Sequence, residues 1–117
     1  MDLNEAIQAH SEWKMKLRSA IQLRTKLDAA TIARDDCCAL GKWLHGESRA
    51  RYGRLDSYKE CFQQHARFHK QASQIALAIN SGKYDEAEKM LGSGTPYVEA
   101  SRAVVMAIGT LKREAGL

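Results

Sequence analysis

The chain has 117 residues, of which 44% are hydrophobic and 27% are charged, with a formal net charge of +4. These values exclude an intrinsically disordered chain, and the length suits one domain with one core. The positive charge raises nucleic acid and anionic lipid as partners. However, the basic residues form no dense block and have few flanking aromatic residues, so we expect a single domain, residues 1–117, that does not bind nucleic acid.

Two features of the sequence indicate a reducing, cytoplasmic environment. No apolar run approaches the length of a membrane span, and residues 1–5 lack the basic and then apolar order of a secretory signal, so membrane insertion is not expected. The three cysteines, Cys37, Cys38 and Cys61, are an odd number, and two of them are neighbours, which makes a disulfide framework a poor expectation. At least one thiol is then free for metal or redox chemistry.

The first half of the chain predicts one long helix and one short segment. Apolar residues recur every three or four positions from about Leu3 to Leu27, and His10 lies on that apolar stripe. Glycines then break the periodicity, and within this region the body of one short helical segment runs from Cys38 to His45. Asp35 or Asp36 could cap this segment, which would put Cys38 in its first turn.

The second half predicts three further helices. One runs from about Leu55 to Asn80 and has both His65 and His69 on its apolar face, a shorter one runs from Tyr84 to Leu91, and the last begins at Pro96 with Thr95 as its N-cap. The expected fold class is therefore all-α. We expect an antiparallel four-helix bundle with an additional short helix that carries a cysteine ligand.

Three histidines on inward stripes point to a metal site. The imidazoles of His65 and His69, four residues apart, project from one helix face with their Cβ atoms about 5–6 Å apart, close enough to share an ion. His10 and either Cys37 or Cys38 would complete a closed tetrahedral zinc site with three nitrogen ligands and one sulfur ligand. Copper and iron remain compatible with these ligand types. By spacing alone, the histidine pair could equally be two amphipathic surface or core positions, and cysteines are more often small buried hydrophobes.

Three stretches of the sequence resemble one known family. They are Ala6–Trp13 around the first histidine, Cys38–Glu47 with the pattern Cys-x-Leu-Gly-x-Trp-Leu, and His65–His69 after Tyr52-Gly53. Together they resemble the chemoreceptor zinc-binding (CZB) domain of bacterial signalling proteins, over essentially the whole chain. The resemblance implies Zn²⁺ as the cofactor and His10, Cys38, His65 and His69 as its ligands, because only Cys38 has Leu and Gly two and three residues later.

The resemblance also implies a function. Domains of this family serve as cytosolic sensors attached to chemoreceptor signalling domains or diguanylate cyclases, and they respond to zinc occupancy or to oxidation of the zinc-bound cysteine, for example by hypochlorous acid. This chain would then form a homodimer and use Cys38 as its redox switch. Cys37 departs from the family pattern and could be a replacement ligand, a resolving thiol or simply buried. Cys61, one turn before His65, could approach the same site.

The surroundings of the site carry further expectations. Glu12, Asp35 and Asp36 are candidates to accept hydrogen bonds from the remaining N–H groups of the metal-bound histidines. His45, next to Gly46, is expected to face solvent. A closed four-ligand site leaves no position for substrate, and the sequence contains no catalytic triad, phosphate-binding loop or His-Glu-x-x-His motif, so we expect no enzyme.

Two other functions remain open at this point. One is a structural zinc site that stabilises a dimerisation module without sensing. The other is a diiron or hemerythrin-like carrier, which would need additional carboxylate and histidine ligands at helical spacing, whereas the sequence has no Glu-x-x-His motif.

Overall fold

The computed structural model describes all residues from 1 to 117 and contains only helices, which confirms the all-α prediction. None of these helices combines the length and the apolar character that a membrane span requires. In chain order they are α1 (Leu3–Ser11), α2 (Trp13–Leu23), α3 (Ala29–Ile32), α4 (Ala39–His45), α5 (Glu47–Tyr52), α6 (Asp56–Asn80), α7 (Tyr84–Met90) and α8 (Pro96–Ala115).

The two longest helices, α6 and α8, form the centre of the molecule. They pack against each other, α1 packs on α8, and α3 lies against α6. The buried face of α6 includes Phe68, Ala72 and Ile75, and that of α8 includes Val104 and Ile108, all without exposed surface. Because the histidines of α6 share this buried face, the packing of the core also fixes their orientation.

The predicted bounds of the first helix, about Leu3 to Leu27, are wrong, because the structure has two helices in this range. The structure interrupts the predicted helix at Glu12, where the Ser11 hydroxyl donates to the carbonyl of Ile7, a bond that bends helices. The second piece ends at Leu23 because Arg24 adopts a left-handed conformation with φ of 53°. The N–H of Thr25 then donates to the carbonyl of Ala20 at 3.0 Å, as in a Schellman helix end.

A polar clamp holds the chain between α2 and α3 against the end of α6. The side-chain amide of Asn80 accepts from the N–H of Leu27 at 2.8 Å and donates to its carbonyl at 2.7 Å. Asp28 then caps α3 by accepting from the N–H and the hydroxyl of Thr31. As a result, the carboxyl end of this four-residue helix lies over α6, where the carbonyl of Ile32 contacts His69.

Helix α4 begins one residue later than expected, and its cap is Cys38 rather than Asp35 or Asp36. The Cys38 Sγ accepts the N–H of Gly41 at 3.3 Å. A Cβ at Gly41 would lie 1.9 Å from the carbonyl oxygen of Asp35, so only glycine allows the preceding loop to fold back over the first turn of α4. The other end of α4 is attached to α6, because the Tyr58 hydroxyl donates to the carbonyl of Leu44.

Of the remaining helices, α6, α7 and α8 lie close to their predicted ranges, whereas α5 was not predicted. Helix α6 occupies almost the expected range, and α8 begins at Pro96 with the Thr95 hydroxyl accepting the N–H of Val98 at 3.3 Å. Helix α7 ends one residue earlier than predicted. Helix α5 was not predicted, because its six residues carry two basic side chains and lie between two glycines.

Candidate metal centre

Four side chains from three helical segments meet at one point inside the protein. His10 lies in the last turn of α1, Cys38 caps α4, and His65 and His69 lie in the middle of α6. One nitrogen or sulfur atom from each lies within 4.8 Å of all the others. The three histidines are only 1–3% exposed, whereas Cys38 is half-buried. This is the group of four that the resemblance implied.

Three of the four donor atoms lie at separations close to those of a tetrahedral zinc site. Cys38 Sγ lies 3.2 Å from His65 Nε2 and 3.6 Å from His69 Nε2, and these two nitrogens are 3.0 Å apart. Zinc bonds of 2.0–2.1 Å to nitrogen and 2.3 Å to sulfur give tetrahedral edges of about 3.3–3.6 Å. The protein therefore holds these donor atoms close to the separations that a zinc ion imposes.

The outer nitrogens of two histidines determine which nitrogen faces the centre. His10 Nδ1 lies 2.7 Å from the carbonyl oxygen of Ala6, and His69 Nδ1 lies 2.9 Å from that of Ile32. A carbonyl oxygen only accepts, so both Nδ1 atoms carry the proton and both Nε2 atoms present a lone pair. The Nε2 atom of His10 is buried without any hydrogen-bond partner, as expected of a nitrogen that would bind a metal ion.

Burial keeps the imidazoles neutral. It lowers the pKa of His10 and of His69 below the ordinary value, and it lowers the pKa of His65 to about 2, with a further contribution from the neighbouring His69 and His10. The Nε2 lone pairs of His10 and His69 point towards the same centre, where a cation would stabilise them. Mixed nitrogen and sulfur donors suit zinc rather than magnesium or calcium, so the residues present fit a zinc ion.

A comparison with protein families agrees with this geometry. The family model described as the chemoreceptor zinc-binding domain, CZB, matches residues 10–76, more than half of the chain. The chain belongs to the CZB family. The matched region begins at His10 and includes Cys38, His65 and His69, and zinc is the cofactor of this family. No curated protein and no solved structure gave a significant match.

The carboxylates expected around the site of this CZB domain have other partners. The Glu12 carboxylate accepts from Gln8, and the Asp36 carboxylate forms two bonds with Arg34 at 3.0 and 3.1 Å. Asp35 Oδ2 lies 3.1 Å from the imidazole of His45. None of the three carboxylates accepts a hydrogen bond from a histidine of the cluster.

Backbone carbonyls take the place of these carboxylates. Ala6 lies one turn before His10 in the same helix, a spacing that the sequence could have suggested. Ile32 ends a four-residue helix, and the last carbonyls of a helix lack intrahelical donors. The N–H group of His69 satisfies this carbonyl, but no sequence signal links two residues so far apart in the chain.

The other two thiols lie outside the group of four. Cys37 Sγ is directed towards Asp36 Oδ1, 3.6 Å away. Cys61 is completely buried on α6, and burial raises the pKa of its thiol to about 12, so it stays protonated and unreactive. His45 is exposed, as the sequence predicted, although its ring packs against Phe62 with 4.7 Å between centroids.

The protonation states predict how zinc binding depends on pH. Burial raises the pKa of the Cys38 thiol above its ordinary value, whereas the three imidazoles are already neutral at pH 7. Zinc binding should then release about one proton per ion, and affinity should increase with pH as long as the thiol is protonated. Calorimetric titration in two buffers of different ionisation enthalpy measures this number. Equal proton release by the wild-type protein and by Cys38→Ser would contradict the assignment.

Proposed function

We propose that this CZB domain is a cytoplasmic sensory domain that binds one zinc ion through His10, Cys38, His65 and His69. Zinc occupancy, or oxidation of Cys38, would change the signalling of a bacterial output domain. The observation that carries this proposal is the convergence of three neutral imidazole nitrogens and one thiol on a single buried point. The group contains no carboxylate, which disfavours the diiron alternative.

The number of donors favours sensing or a structural role over catalysis. Three nitrogens and one sulfur complete a tetrahedral zinc site and leave no open position for water or substrate. A zinc ion held in this way cannot activate a nucleophile unless one of its ligands leaves. We therefore infer that the domain is not an enzyme and that the departure of a ligand is the event that matters.

Cys38 is the ligand best suited to leave. It is half-buried, whereas the histidines are almost fully buried, and it caps a seven-residue helix rather than lying within a long one. Oxidation of the thiolate to a sulfenic acid removes the negative charge that binds the ion. Structural zinc contributes about 10 kcal/mol or more to the folding of small domains, so weaker zinc binding would loosen the protein around α4.

The proposal also covers the oligomeric state of the domain and the signalling output that it controls. We propose that residues 1–117 form a single sensory domain, which would act as a homodimer on a chemoreceptor signalling domain or a diguanylate cyclase, and so on chemotaxis or cyclic-di-GMP. Within each subunit we propose an antiparallel four-helix bundle built from α1–α2, α6, α7 and α8. The packing of α1 on α8 and of α8 on α6 supports this arrangement. A purely structural zinc site in a dimerisation module is the alternative.

The first test concerns the ligand set. Four ligands that share about 10–16 kcal/mol of zinc binding contribute about 3 kcal/mol each, so Cys38→Ser should weaken zinc binding by about 100-fold. The matched controls Cys37→Ser and Cys61→Ser should bind zinc like the wild type. Native mass spectrometry with a competing chelator measures stoichiometry and affinity. Wild-type affinity in Cys38→Ser would remove Cys38 from the ligand set.

The second test separates a sensor from a structural zinc site. The zinc-loaded protein is titrated with hypochlorous acid while a chromogenic chelator records released zinc and peptide mass spectrometry locates the added oxygen. Zinc release should follow oxidation of Cys38 in both the wild-type protein and Cys37→Ser. A protein that keeps its zinc after Cys38 is oxidised, or loses zinc while Cys38 remains reduced, would favour the purely structural role.

A further inference from the structure

His45 connects the loop that carries Cys38 with the helix that carries the two central histidines. It is the last residue of α4, and its Nε2 lies 3.1 Å from Asp35 Oδ2, where the imidazole N–H can donate to the carboxylate. Its ring packs on Phe62 of α6, with 4.7 Å between the centroids. The His45 side chain therefore contacts both the loop that leads to Cys38 and the helix that carries His65 and His69.

Asp35 transmits this contact to Cys38. The backbone carbonyl of Asp35 lies directly over Gly41, where even a methyl group would collide with it. Gly41 in turn donates its N–H to Cys38 Sγ at 3.3 Å. The loop from Asp35 to Cys38 is thus held against the first turn of α4, and the carboxylate of Asp35 attaches the start of that loop to the last residue of the same helix.

Phe62 provides the fixed end of the connection. It precedes His65 by three residues and therefore lies one turn away on α6. The guanidinium of Arg49, from α5, lies 5.7 Å from the centre of the Phe62 ring, and the Tyr58 ring is 6.1 Å away. These contacts hold the ring against which His45 packs, so a displacement of His45 would move the Cys38 loop relative to the histidines.

We propose that His45 and Asp35 are positioning residues that hold Cys38 at the distance from His65 and His69 that zinc binding requires. Neither residue binds the ion itself, since the four donor atoms come from other side chains. The pair would set how readily the cysteine leaves the site. This inference rests on the proposed function, because it presumes a zinc ion bound by Cys38 and the histidines.

The test measures zinc release after disruption of the pair. Stopped-flow mixing of zinc-loaded protein with excess chelator gives the dissociation rate for His45→Ala, Asp35→Ala and the double variant. We expect each single variant to release zinc about 10-fold faster, the size of effect typical of residues that orient metal ligands. The double variant should be no faster than either single one, because both substitutions break the same contact. Asp35→Asn, which keeps an acceptor for His45, should stay close to the wild type.

Two controls separate positioning from general destabilisation. Lys42→Ala replaces an exposed side chain of the same helix and should leave the release rate unchanged. In the zinc-free proteins, hydrogen exchange should show that His45→Ala loses protection over residues 35–41 but keeps it over residues 100–111 of α8.

The outcomes distinguish the two proposals. Wild-type release rates in both single variants, additive effects in the double variant, or an equal acceleration by Lys42→Ala would overturn the role of the pair while leaving the zinc site intact. A wild-type protein that binds no zinc would overturn the proposed function, and with it the role of His45 and Asp35.

Discussion

The structure depends on one electrostatic constraint, which is that three neutral imidazoles and a thiol meet at one point inside the protein. Hydrogen bonds to the carbonyls of Ala6 and Ile32 fix two of the rings so that their Nε2 lone pairs point inward, and burial lowers the pKa of both rings and so disfavours their protonated forms. A dication at the centre would bind these lone pairs, including that of His10 Nε2, which is buried without a hydrogen-bond partner. Zinc binding and correct folding are therefore linked.

The four candidate ligands are held in place by structural elements of different length and packing. His65 and His69 lie on the longest helix, whose buried face also forms much of the core, and His10 lies on a helix that packs on α8. Cys38 instead lies between a loop and a seven-residue helix, and it is held through Gly41, Asp35 and His45. This difference is the physical reason why a signal would enter at the cysteine while the histidines remain in place.

The sequence predicts the four candidate metal ligands better than the residues that hold those ligands in place. Helical spacing put His65 and His69 on one buried face, and the Cys-x-Leu-Gly-x-Trp-Leu pattern selected Cys38 over Cys37. The interruption at Glu12 and the left-handed Arg24 were missed, because the apolar periodicity continues through both positions. The Ile32 carbonyl and the pairing of Asp35 with His45 depend on how distant segments fold onto α6, and local patterns contain no information about this.

The most direct test of the central claim is X-ray absorption spectroscopy at the zinc edge on the purified, zinc-loaded protein. A four-coordinate ion with three nitrogen neighbours at about 2.0–2.1 Å and one sulfur neighbour at about 2.3 Å is the predicted result. The imidazole scattering should correspond to three histidines. A first shell without sulfur, or a shell with additional oxygen neighbours from water, would contradict a closed site of three histidines and Cys38.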